Sequence, residues 1–155
     1  MSVISHSFGT YLITRILAEE FDIKWDRIIF CGGVASQTFP LEQYTDRFSD
    51  PILNEIGTRD YLPALAESVT WGYGSIGSHG INSPAVVDRW HRGYTHSDFL
   101  KSEFCTKFWL PFLLSGTITP GDEPDDLPIF IRILARLPLR WMIVVLLFAV
   151  FYRLI

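Results

Sequence analysis

The chain has 155 residues, 48% of them hydrophobic and 15% aromatic, and a formal net charge of −4. This suits one domain with a real core, excludes a disordered chain, and leaves no basic footprint for nucleic acid. Cys31 and Cys105 form neither a CxxC pair nor a zinc spacing and the four histidines are scattered, so no metal or cofactor is expected and a reduced setting is favoured.

Residues 1–5 read as the end of a buried strand, and Ser5-His6-Ser7-Phe8-Gly9 as a tight turn opening a helix. Phe8, Tyr11, Leu12, Ile16 and Leu17 recur at helical spacing through Phe21, so the positive end of the helix dipole points at Ser7. Arg27–Cys31, closed by Gly32-Gly33, reads as a buried parallel strand; the pair of glycines lacks the GxGxxG spacing of a dinucleotide loop. Residues 34–51 carry breakers at Pro40 and Pro51 and are expected as a loop or short excursion. Ile52–Ile56 is the next strand, and Leu62–Val69 a helix with Pro63 in its first turn, where proline is tolerated. The Gly/Ser-rich stretch 71–84 is expected as a loop, Val86–His91 as a strand, and Phe99–Leu114 as a helix with Phe104, Phe108 and Phe112 on one face.

Strand–helix–strand order predicts an α/β fold: an open parallel sheet with flanking helices, its ligand side at the carboxyl ends of the strands. Ser7, Asp60 and His96 fall just past three expected strand ends, in the order serine, acid, histidine. Asp60 reads equally well as a cap for the helix at Leu62. His79, His91 and His6 compete with His96, which is preferred because it lies between a strand and a helix. Trp71, Tyr73 and Trp90 are candidates for an acyl pocket, with core packing as the plainer alternative.

In these residues the sequence resembles the α/β-hydrolase family, whose serine sits on a strand-to-helix elbow within G-x-S-x-G. Here serine replaces the first glycine, giving Ser5-x-Ser7-x-Gly9. The resemblance implies that Ser7 is the nucleophile and His96 the base. It makes Asp60 the residue that orients the imidazole, and the Phe8 backbone N–H one oxyanion donor. The family's second donor and early strands have no counterpart in this sequence and are expected to lie before Met1. The chain then reads as the C-terminal half of such a fold, with an exposed sheet edge through which it would oligomerise.

Residues 115–128 form an acidic Pro/Gly linker, which divides the chain into a hydrolase-like part (1–114) and a tail (129–155). In the tail, Arg132, Arg136 and Arg140 recur at four-residue steps and lead into Trp141–Ile155, apolar or aromatic except for Arg153. This is expected as an amphipathic-to-apolar helix that associates with a membrane by spanning, lying on or anchoring to it, with its arginines on the cytoplasmic side. Two functions follow. One is a membrane-tethered serine hydrolase acting on a small-molecule or lipid-like ester, thioester or amide. The other is an incomplete hydrolase that serves only as a binding or membrane-associated module.

Overall fold

The computed structural model describes residues 1–154. Strand β1 (Val3–His6) leads through Ser7 into helix α1 (Phe8–Glu19), and β2 (Ile28–Cys31) follows. A 3₁₀ segment at Leu41–Arg47 precedes β3 (Ile52–Gly57), after which come α2 (Leu62–Val69), the short α3 (Ile76–His79) and β4 (Val86–His91). The four strands form one sheet in the order β1-β2-β3-β4, each parallel to the next. An α/β fold with a parallel sheet is thus present.

Alternation along the strands divides the core between the two faces of the sheet. Ile28, Phe30 and Ile52 pack with Ile13 and Leu17 of α1, Leu41 and Ile76. Ile29, Cys31 and Leu53 point the other way, onto Phe99, Phe104, Phe108, Trp109 and Phe112. Both faces are covered, which is why β2 and β3 are buried along their whole length; β2 reads as a continuous apolar run, while β3 carries Asn54 and Glu55 within it. The two edges differ. The stretch through Gly121-Asp122 closes off β4: Asp122 N–H donates to Trp90 O at 2.8 Å, and a Cβ on Gly121 would meet that same oxygen at 2.6 Å. Among the described residues β1 pairs only with β2, and Ile4 is 43% exposed beside a groove lined by Trp109, Leu110 and Leu113.

Inside the second face lies a buried ionic cluster. Glu55 receives both Nε and Nη2 of Arg89, His91 Nε2 at 2.7 Å and the Trp109 indole N–H at 2.9 Å. Arg89 also donates to Thr119 O and lies 5.0 Å over the Phe108 ring. Burial opposes ionisation of Glu55, but the hydrogen bonds from Arg89 and His91 outweigh it and hold its pKa below the usual glutamate value.

Three stretches depart from the sequence expectation. The Gly/Ser-rich stretch 71–84 contains a turn of helix, α3, whose glycines serve close packing: a Cβ on Gly77 would lie 2.3 Å from Gly33 N. The expected helix 99–114 is a 3₁₀ turn (Asp98–Leu100), then α4 (Ser102–Phe104), a π segment (Cys105–Trp109) and α5 (Leu110–Ser115). Pro111 has no N–H for the Lys107 carbonyl, which takes the Thr119 hydroxyl instead, and the preceding turn widens.

The tail, finally, is two helices and not one. α6 (Ile129–Arg136) and α7 (Leu139–Leu154) are bent by 53° across Leu137-Pro138. Proline holds Leu137 extended (φ −70°, ψ 130°) and stops α6. No single described helix is long and apolar enough to cross a membrane; the bent pair satisfies length and composition only when taken together. Ile155, the last residue of the expected tail helix, lies outside the described residues.

Glu55→Ala should cost about 3–5 kcal/mol of unfolding free energy in a urea titration, because it leaves Arg89 buried and unpaired. The native pKa of Glu55 is depressed, so its stabilisation is full above the unfolded-state value of about 4.3 and disappears as pH falls through the lower native value. Acid unfolding of the wild type should therefore contain a component that the variant lacks.

Candidate functional site

The turn after β1 is strained. Ser7 has φ 54° and ψ −121°, outside the regions that residues with a side chain ordinarily occupy. Holding it there costs on the order of 1–3 kcal/mol. Its N–H still extends the β1–β2 ladder, donating to Cys31 O at 3.0 Å, and its carbonyl already accepts Thr10 N–H as the first bond of α1. The neighbours explain the small residues on both sides. Ser5 is buried with its hydroxyl on Ile29 O, and a Cβ on Gly9 would stand 3.4 Å from the Ser5 Cβ.

Thr10 locks the turn to the next loop. Its buried hydroxyl donates to Ser7 O at 2.7 Å and accepts N–H groups from Val34 and Ala35 at 3.0 and 3.2 Å. Ser7 is thereby held at the carboxyl end of the sheet, at the start of a 12-residue helix whose positive dipole end faces it.

Asp60 and His96 come together at the same end. His96 Nδ1 donates to Asp60 Oδ2 at 2.9 Å; the Asp60 side chain is fully buried and that of His96 is 15% exposed. Asp60 Oδ1 also accepts Leu62 N–H at 3.2 Å, so one carboxylate both orients the histidine and caps α2. The loop carrying His96 is tied down by Asp98, which accepts the Thr95 N–H and hydroxyl. Hydrogen bonds from Lys101 and Thr95 lower the Asp98 pKa to about 2.

Ser7 meets this pair through His6. The His6 ring lies 4.4 Å from the His96 ring, and its Nε2 donates to His96 O at 2.9 Å. Among the described residues no hydrogen bond joins Ser7 Oγ to the His96 ring. The N–H of Phe8 belongs to the first turn of α1, and the Phe8 ring stacks with Tyr11 at 5.9 Å and lies tilted against Tyr73 at 6.0 Å.

The competing histidines are engaged elsewhere. His91 is buried on Glu55. His79 shares Ser75 Oγ with Glu67 and Gln37, and burial lowers its pKa. Of the aromatic candidates, Tyr73 lies beside Phe8, Trp71 packs on Trp141, and Trp90 lines the small core of Ala64, Leu127 and Ile131. No three His, Cys, Asp or Glu side chains gather as a metal site among the described residues.

Two contributors were not singled out from sequence. Thr10 gave no signal beyond its place in the helix. Gly32 did, as a glycine at a strand end: it has φ +52°, and a Cβ there would lie 2.8 Å from His96 Nδ1 and 3.0 Å from Asp60 Oδ2. The acid and the histidine meet in the space that this residue leaves empty.

Gly32→Ala should therefore abolish the downfield Nδ1 proton signal of His96 in NMR spectra, and the backbone alone should cost about 1–2 kcal/mol. Gly72→Ala is the control. Its φ is +83° but a Cβ there would meet nothing within 4 Å, so only the backbone cost should appear.

No family model, curated protein or solved structure matches this chain.

Proposed function

We propose that the chain is a serine hydrolase of the α/β-hydrolase type, cleaving an ester, thioester or amide through an acyl-enzyme. The observation that carries this reading is a serine held at φ 54° between a strand and a helix, at the sheet end where a buried aspartate fixes a histidine.

The chemistry follows from the positions. Ser7 Oγ attacks the acyl carbonyl while His96 Nε2 takes its proton. Asp60 keeps the Nδ1–H tautomer and stabilises the imidazolium. The oxyanion accepts the Phe8 N–H at the positive end of α1. Collapse of the tetrahedral intermediate expels the leaving group, which takes the proton back from His96. Water then repeats the sequence to release the acid and restore Ser7. In the free protein the serine–histidine bond is open, and the substrate is expected to tighten it. The bent α6–α7 pair supports association with a membrane, with the sheet on the cytoplasmic side, the side of Arg132, Arg136 and Arg140.

One observation favours the second reading, a module that binds without turning over. Among the described residues β1 has a strand on one side only, so nothing on its other side lends the elbow a further oxyanion donor.

A fluorophosphonate probe decides between them. The hydrolase reading expects labelling of the wild-type chain at Ser7, none in Ser7→Ala, and a fall of about 10⁴ in labelling rate for Asp60→Asn, in which the histidine takes the wrong tautomer. A folded wild-type chain that takes no label would sink the hydrolase reading and leave the binding module.

A further inference from the structure

The surface around Ser7 is apolar in a way the chemistry does not require. Phe8 is 47% exposed and Trp71 56%, and Leu12 on α1 and Tyr61 and Leu62 at the start of α2 are exposed as well. Soluble surfaces scatter such residues singly; a contiguous group marks a contact face. This group continues into the tail. Trp71 stacks edge-on against Trp141 at 5.7 Å. Two residues on, Tyr73 lies 5.2 Å from Tyr11 and 6.0 Å from Phe8. An aromatic path therefore runs from the first turn of α7 to the residue after Ser7.

The occupant of this face is indicated by α7 itself. Apart from Arg140 and Arg153 near its two ends, its 16 residues are apolar or aromatic on every side, and none of them is buried. A groove on another protein would cover one stripe of such a helix and leave the others in water, whereas hydrocarbon covers all of them. At 1.5 Å per residue α7 reaches about 24 Å, most of a hydrocarbon core. Charge fits as well. Arg132 and Arg136 are exposed on α6, and Arg140 lies at the mouth of α7. Arg140 gives one N–H to Thr70 O and stacks over Trp71 at 6.0 Å, while its Nε has no partner among the described residues. That places cationic donors at headgroup level, just outside the apolar helix.

We propose that the Ser7 end of the sheet is a bilayer-docking face and that the substrate is an acyl ester of a lipid resident in that bilayer. The docking face stands on the rim and the tail; the substrate assignment rests on the hydrolase reading above. The aromatic path holds the elbow at the lipid surface, so the acyl chain passes from hydrocarbon to Ser7 over Phe8 and Tyr73 without crossing water.

The full chain, reconstituted into phosphatidylcholine vesicles with and without phosphatidylglycerol, tests both parts. A fluorophore is placed at Leu12→Cys on the rim or at Asp22→Cys at the opposite end of the sheet, in a Cys105→Ser background. Docking predicts that bilayer-embedded quenchers act several-fold more strongly on the Leu12 label than on the Asp22 label, and more so with the anionic lipid. Equal quenching while the chain remains on the vesicles overturns the docking face, since α7 alone would then hold the protein. For the substrate, Leu12→Lys should reduce hydrolysis of a fluorescent-acyl phosphatidylcholine about tenfold, by removing one buried leucine from the interface. Its fluorophosphonate labelling and its hydrolysis of soluble p-nitrophenyl acetate should stay at wild-type rates, which also shows that the variant is folded. Equal losses on soluble and vesicle substrates overturn the lipid assignment. A wild-type chain that docks but takes no fluorophosphonate overturns the hydrolase reading, and the lipid ester with it, while the quenching result still decides the docking face.

Discussion

Everything at the carboxyl end of the sheet depends on a missing side chain. Gly32 closes β2 with a positive φ, and the volume its Cβ would fill is where the Asp60 carboxylate receives the His96 ring. Gly57 performs a related service at the end of β3, where a Cβ would press within 2.6 Å of the Tyr94 carbonyl in the histidine's own loop. Two adjacent strands thus end in residues that let a third strand's loop fold across them. Thr10 completes the arrangement by stitching the serine turn to the loop after Gly32. The three candidate residues come from three separate strand ends, and backbone proximity, not long side chains, gathers them.

Below that layer, Glu55 and Arg89 anchor the two strands that carry the acid and the histidine. They form a cross-strand pair in the β3–β4 register, and Trp109 and His91 satisfy the remaining acceptor capacity. Isolated buried charges are expensive, so each member needs the others. A carboxylate this well supplied with donors stays ionised in a setting that would otherwise protonate it, and it fixes the stagger between β3 and β4 on which the meeting of Asp60 with His96 relies.

Much of this arrangement was legible in the sequence. The run at 28–31 declares itself because a strand buried on both faces has no polar alternation to blur it; 52–57 and 86–91 show less plainly, since Asn54-Glu55 and Asp88-Arg89 interrupt their apolar residues. α2 is marked at its start by Pro63 and by the aspartate that caps it. What could not be read depends on which loop folds over which strand end. Nothing in Gly77-Ser78-His79 announces that its glycine abuts Gly33, or that His79 will be spent on Ser75. The choice of His96 over His91 turns on register: one sits on the strand, where it faces Glu55, and the other lies beyond the turn, where it reaches Asp60. The bend at Pro138 was visible as a proline but was overridden by the continuity of apolar residues on its far side.

The order of the strands in space is also their order along the chain. Each new strand therefore adds beside the one just placed, and no later segment has to be threaded between earlier ones. Each parallel pairing still joins residues more than twenty positions apart, as in Val3 with Ile28 and Ile52 with Val86, so loop closure must precede every pairing. The acid arrives with the third strand and the histidine only after the fourth, so the site is the last part of the sheet to be completed. Assembly of the Asp60–His96 pair is accordingly a kinetic marker: any intermediate lacking β4 would hold the serine turn but not the histidine. The Asp60–His96 contact and the burial of β3 between its two neighbours should appear in the same step of refolding.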